Sequence, residues 1–252
     1  MYEAVPAGPG GAEVTVGSFR ADRPPGLFAT AYRVRMRSDW IPLSASALVV
    51  GAMAMVFGAL LNPQSGGGET AADTLRVVTE EGGRWLGMSV MYFFASVAMT
   101  LGLPALLSLF TDKGRRTGFV AVGIFSIGVI GLAGFAMLLV FFKALAGAEA
   151  IQDARLDAAT EDLGLSVFLN GWIISFYLGV LLVALALFLS KKTPPWVPGL
   201  LVVFVLLFPF ADQIGRVGQV LQVMALAVAF TGVAIAAVNQ VNRVVASRQP
   251  TY

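Results

Sequence analysis

Six stretches of the chain are almost purely apolar and are bounded by polar or charged turns: Pro42–Leu61, Trp85–Phe110, Gly118–Phe142, Val167–Leu189, Trp196–Ala211 and Val217–Val238. None of them contains Asp, Glu, Lys or Arg. A helix rises about 1.5 Å per residue, so about 20 apolar residues cross the ~30 Å hydrocarbon core of a bilayer. Backbone amides in oil must close their own hydrogen bonds, and a helix does so within one segment. The pattern predicts an all-α fold, a six-helix transmembrane bundle. The fifth stretch is the shortest. It either thins the bilayer locally or continues through Asp212 and Gln213. Its link to the sixth is short enough to predict a tight antiparallel hairpin.

The polar segments divide the chain into three regions. Residues 1–40 form an N-terminal tail, 41–240 the transmembrane domain and 241–252 a C-terminal tail. Gly, Pro and Ala dominate the first nineteen residues, a composition that predicts disorder. Between Pro24 and Trp40, apolar Leu27, Phe28, Tyr32, Val34 and Met36 alternate with Arg33, Arg35 and Arg37. That mixture reads either as a segment lying on anionic lipid or as an ordinary basic flank to the first span. About forty polar residues precede the first apolar run, so no cleavable signal peptide is expected. Two connections are long enough to fold locally. In Asn62–Arg84, Thr70 and Asp73 have capping-box spacing, Leu75 and Val78 share a face, and Gly82–Gly83 should stop the helix. In Ala144–Ser166, acids alternate with alanines around Ile151–Asp162 and predict a second short helix. Both short amphipathic helices are expected over one end of the bundle.

Composition agrees with a membrane chain and removes several chemistries. The protein is 57% hydrophobic and 13% charged, with a mean hydropathy of +0.79; soluble domains carry about 25% charged residues. It has no Cys and no His. Disulfides, thiolate metal sites, the common zinc sites, bis-histidine haem ligation and histidine general bases are therefore excluded. No cofactor is expected. The small net charge of +2 gives no reason to expect nucleic acid as a partner. No titratable group lies within a span, which argues against proton-coupled transport. No buried catalytic set is present, so an enzyme is the least favoured class.

The distribution of charge predicts orientation. Lys and Arg favour the cytoplasmic side of a membrane. Arg20, Arg23, Arg33, Arg35, Arg37, Lys113, Arg115, Arg116, Lys191, Lys192, Arg243 and Arg248 fall on one side, and Arg76, Arg84, Lys143, Arg155 and Arg216 on the other. The first side should be cytoplasmic, and an even number of spans returns both termini to it. Most acids, including Glu80, Glu81, Asp153, Asp157, Glu161 and Asp162, lie on the opposite side. Trp40, Trp85 and Trp196 sit at span ends, where interfacial anchors are found.

Within the spans, small residues recur at helix-packing spacings: Ala54 and Gly58; Gly128, Gly131 and Gly134; Ala225, Ala229, Gly232 and Ala236. They suit packing inside one bundle, or a homo-oligomer or partner-helix interface. Pro104 in the second span, and Pro198 and Pro209 in the fifth, should kink their helices. Broken helices at matching places in two halves occur in inverted-repeat transporters, but the halves share no residue similarity, and unrelated kinks are the simpler reading.

Intramembrane polar groups are the usual markers of function, and they gather toward one end. Asp212 and Arg216 flank the last hairpin and can pair if the backbone there is helical. Gln219 and Gln222 follow on the sixth span, Asn170 and Trp172 lie near the end of the fourth, and Ser89, Tyr92 and Ser96 occupy the second. One reading is an outward-opening polar pocket built from Asp212, Arg216, Gln219, Gln222, Asn170, Trp172 and Tyr92, holding a small apolar or amphipathic ligand. The other is structural: an ion pair capping the hairpin, with amides bonding between helices. The sequence thus leaves two functions: a non-enzymatic binding or accessory protein surrounded by membrane lipid, and a small transporter or channel without proton coupling.

From about Ala45 to Gln240 the layout resembles a family of uncharacterised six-span bacterial, actinobacterial-type integral membrane proteins. The likeness rests on three features. A long loop with the amphipathic stretch Thr70–Val78 follows the first span. The basic turn Asp112–Arg116 follows the second. The run Leu165–Asp212 carries Asn170, Gly171 and Tyr177 ahead of Lys191–Pro195. Many relatives carry histidine in the outer half, which this chain lacks. The resemblance implies the six-span topology and a bacterial plasma-membrane location, with no activity to carry over.

Overall fold

The computed structural model describes residues 27–63, 71–110, 114–148 and 162–246. Every regular element among them is an α-helix: α1 (Leu27–Leu61), α2 (Ala71–Glu80), α3 (Gly82–Ser108), α4 (Arg115–Gly147), α5 (Leu163–Ser190), α6 (Trp196–Ile214) and α7 (Arg216–Ala246). Residues 1–36 form a separate unit, of which only the helical backbone of Leu27–Met36 is described; the helical bundle comprises Arg37 onward. The expected tail disorder, Thr70 of the expected capping box, and the expected helix around Ile151–Glu161 fall outside the described residues.

Five helices are long and apolar enough to cross a bilayer: Trp40–Leu61, Gly82–Ser108, Arg115–Gly147, Leu163–Ser190 and Arg216–Arg243. In α6 the apolar part, Trp196–Ala211, is shorter. All of these helices carry large apolar side chains on their outer surfaces. Phe57 on α1, Phe94 on α3, Ile130 and Met137 on α4, Ile174 and Phe188 on α5, Leu206 on α6 and Val228 on α7 are all exposed. A soluble monomer rarely tolerates an apolar patch above a few hundred Å². A continuous collar of such residues on a helical bundle is the surface of a membrane-embedded protein.

The helices outrun the apolar stretches because an apolar run ends where oil ends, whereas a helix continues to a cap. α5 begins four residues before Val167, where the Asp162 carboxylate accepts the Leu165 amide at 2.9 Å. It ends at Lys191, which takes the left-handed conformation (φ 52°). The short helix does stop just before Gly82–Gly83, as expected, but the glycines themselves open the next helix. α2 ends at Glu80, and Gly82 already belongs to α3. Two backbone bonds meet at Glu81, whose N donates to Val77 O at 2.8 Å and whose O accepts from Trp85 N at 3.0 Å. The Arg84 guanidinium also pairs with the Glu81 carboxylate across the turn. Val77 and Val78 bury the inner face of α2 against α3 and α4.

Helix packing follows the small residues. A Cβ on Gly128 of α4 would lie 2.4 Å from Phe176 Cα, and one on Gly179 of α5 would lie 2.4 Å from Phe125 Cα. Each glycine receives the backbone of the facing helix, which lets α4 and α5 approach closely. Gly131 faces Trp172 closely, a Cβ there lying 2.2 Å from Trp172 Cβ, whereas Gly134 meets only the tip of the Phe168 ring. This glycine row is thus covered within one chain. The core beneath is aromatic and branched, with Phe110, Phe125, Phe204 and Phe230 fully buried.

The proline kink in α3 has a specific repair. Pro104 lacks an N–H, and its ring disturbs the preceding turn. Ser44 of α1 inserts its hydroxyl there, donating to Leu101 O at 2.8 Å and accepting from Ala105 N at 3.0 Å. In a helix without the proline those two groups would bond each other. Pro198 sits in the first turn of α6, where a missing donor costs nothing, and Pro209 lies inside that helix.

Candidate functional site

At the end of the bundle where α1 stops and α7 starts, six helices enclose a cavity of about 200 Å³. Its wall is aromatic: Phe135 from α4, Trp172, Phe176 and Tyr177 from α5, and Phe204 and Phe208 from α6, with Tyr92 of α3 opposite. Met55, Ala59, Leu132, Ala211 and Val223 fill the gaps. The rings support one another. Trp172 and Phe135 have centroids 5.2 Å apart, Tyr177 stacks on Phe204 at 5.2 Å, and its ring lies 4.2 Å from that of Phe208. The i,i+4 pairs Trp172–Phe176 and Phe204–Phe208 put two rings each on one helix face.

The polar groups are few and uncharged. Gln222, 5% exposed, donates from Nε2 to Phe204 O at 3.1 Å and to Tyr177 Oη at 3.2 Å. It ties α7 to both α5 and α6. Asn62 Nδ2 donates to Gln219 Oε1 at 3.0 Å across the cavity rim, joining the end of α1 to the first turn of α7. Trp172 Nε1 is buried and has no acceptor among the described residues. An unpaired buried donor costs roughly 1–3 kcal/mol, and most native structures avoid one.

Four of the seven residues expected at this site line the cavity: Tyr92, Trp172, Gln219 and Gln222. Asn170 does not. It lies on the exposed face of α5 and donates to Ser166 O at 2.8 Å. Arg216 is exposed at the start of α7. The helical spacing proposed for Asp212 and Arg216 is broken, because α6 ends at Ile214 and Gly215 turns the chain with φ 75°. The Asp212 side chain lies outside the described residues. Ser89 and Ser96 close backbone bonds, on Trp85 O at 2.8 Å and Val129 O at 2.6 Å. The sequence alone does not single out Asn62 or the rings of Phe135, Phe176, Phe204 and Phe208. Asn62 lies just past a span end, where a loop residue is the default, and single aromatic residues in apolar helices carry no distinguishing mark. The i,i+4 ring pairs were the available signal.

No ionised residue is among the described lining residues, and a cavity lined in that way repels ions, which lose their hydration without gaining a partner. It suits an uncharged, partly aromatic or aliphatic molecule with an acceptor atom for the indole N–H. Replacing Gln222 with Leu removes both bonds and should destabilise the detergent-solubilised protein by about 1 kcal/mol, within the range for interhelical bonds in membranes. A melting temperature equal to wild type would place the amide outside the packing of α7.

No family model, no curated protein and no solved structure matches the chain.

Proposed function

We propose that the chain is a non-enzymatic binding or accessory protein of a bacterial plasma membrane, holding a small uncharged amphipathic molecule at the outer end of a six-span bundle. The observation that carries this reading is an aromatic cavity with no charge among its described lining residues, one of which, Trp172, has a buried indole N–H with no acceptor among the described residues. Three features support the six-span count and the orientation. α6, with 19 residues, would extend about 28 Å, close to the ~30 Å core. It packs along α7, with Trp196 against Gly232 at one end and Ala211 against Gly218 at the other. The excess of Lys and Arg at the opposite end makes that end, and both termini, cytoplasmic.

A transporter or channel without proton coupling would need a polar path across the bundle. Below the cavity, Phe125, Leu226, Phe230 and Val233 are fully buried and close the way. Binding is therefore favoured over conduction.

The test uses purified protein in nanodiscs and a thermal-shift readout, with naphthoquinone as the probe and its carboxylate derivative as the charged control. The neutral compound should raise the melting temperature and the carboxylate should not. Trp172→Phe keeps the ring and removes the donor, and should weaken binding about tenfold, the effect of roughly 1.4 kcal/mol. Equal stabilisation by both compounds, or unchanged affinity in Trp172→Phe, would refute the assignment.

A further inference from the structure

At the opposite end of the bundle a second groove, of about 440 Å³, runs between α7 and the turn joining α5 to α6. Three cations border it: Lys191, Lys192 and Arg243. No carboxylate is among its described lining residues. Along α7 the lining changes character in steps of one turn. Ile235, Asn239 and Arg243 form one i,i+4 ridge, running from an exposed apolar residue through an amide to a guanidinium. The neighbouring ridge, Gly232, Ala236 and Gln240, goes from small apolar residues to an amide. Eight residues of helix rise about 12 Å, comparable to the distance from a phospholipid's upper acyl chain to its phosphate.

The groove is built rather than incidental. Gly232 has no side chain, so the Trp196 ring lies flush on α7; a Cβ at that position would sit 2.6 Å from Trp196 Cη2. This forms one apolar wall. Lys191 ends α5 in the left-handed conformation, its amide on Leu187 O at 3.2 Å, which turns the chain across the groove mouth. Gln240 Nε2 donates to Ser108 O at 3.3 Å, which fixes the amide. Its Oε1 is buried with no donor among the described residues. An acceptor with no donor among the described residues, in a groove that Lys191 and Arg243 also line, suits a ligand that has both an anion and a hydroxyl.

We propose that this groove binds one anionic glycerophospholipid with a hydroxylated headgroup, of the phosphatidylglycerol class. The phosphate sits between Lys191 and Arg243, a headgroup hydroxyl donates to Gln240 Oε1, and an acyl chain lies along Ile235 and Trp196. The site rests on the membrane reading of the bundle and is independent of the cavity at the other end. It goes beyond a general basic flank, because the gradient and the acceptor select one headgroup among anionic lipids.

Native mass spectrometry of the full chain, released from detergent after titration with defined lipids, tests it. Phosphatidylglycerol should be retained at least tenfold better than phosphatidylcholine. The double variant Lys191→Gln, Arg243→Gln should lose that preference, while Arg216→Gln, at the far end, should keep it. Gln240→Leu should bind phosphatidylglycerol and phosphatidic acid equally, whereas wild type prefers the former. Millimolar inorganic phosphate should not displace the lipid. Equal retention of phosphatidylglycerol and phosphatidylcholine, a preference unchanged in the double variant, or displacement by free phosphate would each overturn the assignment. If the double variant melts early, Gln240→Leu alone decides: an unchanged preference over phosphatidic acid refutes the headgroup contact.

Discussion

Gly128→Val is expected to lower the melting temperature of the detergent-solubilised protein by roughly 5–10 °C, whereas Gly123→Ala on the same helix leaves it unchanged or slightly higher. At Gly128 the new Cβ would stand 2.4 Å from both Cα and N of Phe176. Those are backbone atoms of a packed helix, and no rotamer change can clear them. α4 must move away from α5, and overpacking of this kind costs about 1–3 kcal/mol, sometimes more. A chain of this size loses about 2–4 °C per kcal/mol. At Gly123 nothing lies within 4 Å of the added carbon. The same displacement would also disturb Phe176 and Trp172 and so reach the cavity. Equal melting of both variants would contradict the close approach of α4 and α5.

The second large effect is expected at Ser44. Ser44→Ala removes the group that serves both Leu101 O and Ala105 N. With Pro104 still holding the two groups apart, the buried Ala105 N and the part-buried Leu101 O each lose this partner, a loss of about 1–3 kcal/mol in a folded protein and more in lipid. Pro104→Ala restores the missing donor and relieves the ring clash, so that Ala105 N can return to Leu101 O. In that background Ser44→Ala should cost little. A double-mutant cycle by chemical denaturation in detergent should therefore give a coupling of at least about 1 kcal/mol. Additive losses would mean that the serine acts on something other than the kink.

The two sites show where sequence reasoning succeeds in such a chain. Uninterrupted apolar runs locate the helices because oil forces each backbone to satisfy itself, and the glycine spacing in α4 marks a contact that only a residue without a side chain permits. Pro104 is legible as a kink, but its repair by Ser44 is not, since the two meet only after α1 packs on α3. The same limit applies at the cavity. Gln219, Gln222, Trp172 and Tyr92 stand out as polar groups in apolar helices, whereas Asn62 joins them only through the fold, across 157 positions. Asp212 and Arg216 have helical spacing in the sequence, but Gly215 breaks the helix between them. Asn170 misleads because depth along a span says nothing about which face it occupies.

The crossing of α6 decides between five spans and six, and with it the side on which the cavity opens. The natural chain has no Cys, so single cysteines can be read without a reactive background. Gln213 and Pro194 lie at opposite ends of α6 and are both exposed. In intact cells, a membrane-impermeant maleimide should label Gln213→Cys directly and should label Pro194→Cys only after permeabilisation. Labelling of both from the same side would mean that α6 does not cross, and the six-span account with an outward cavity would fall.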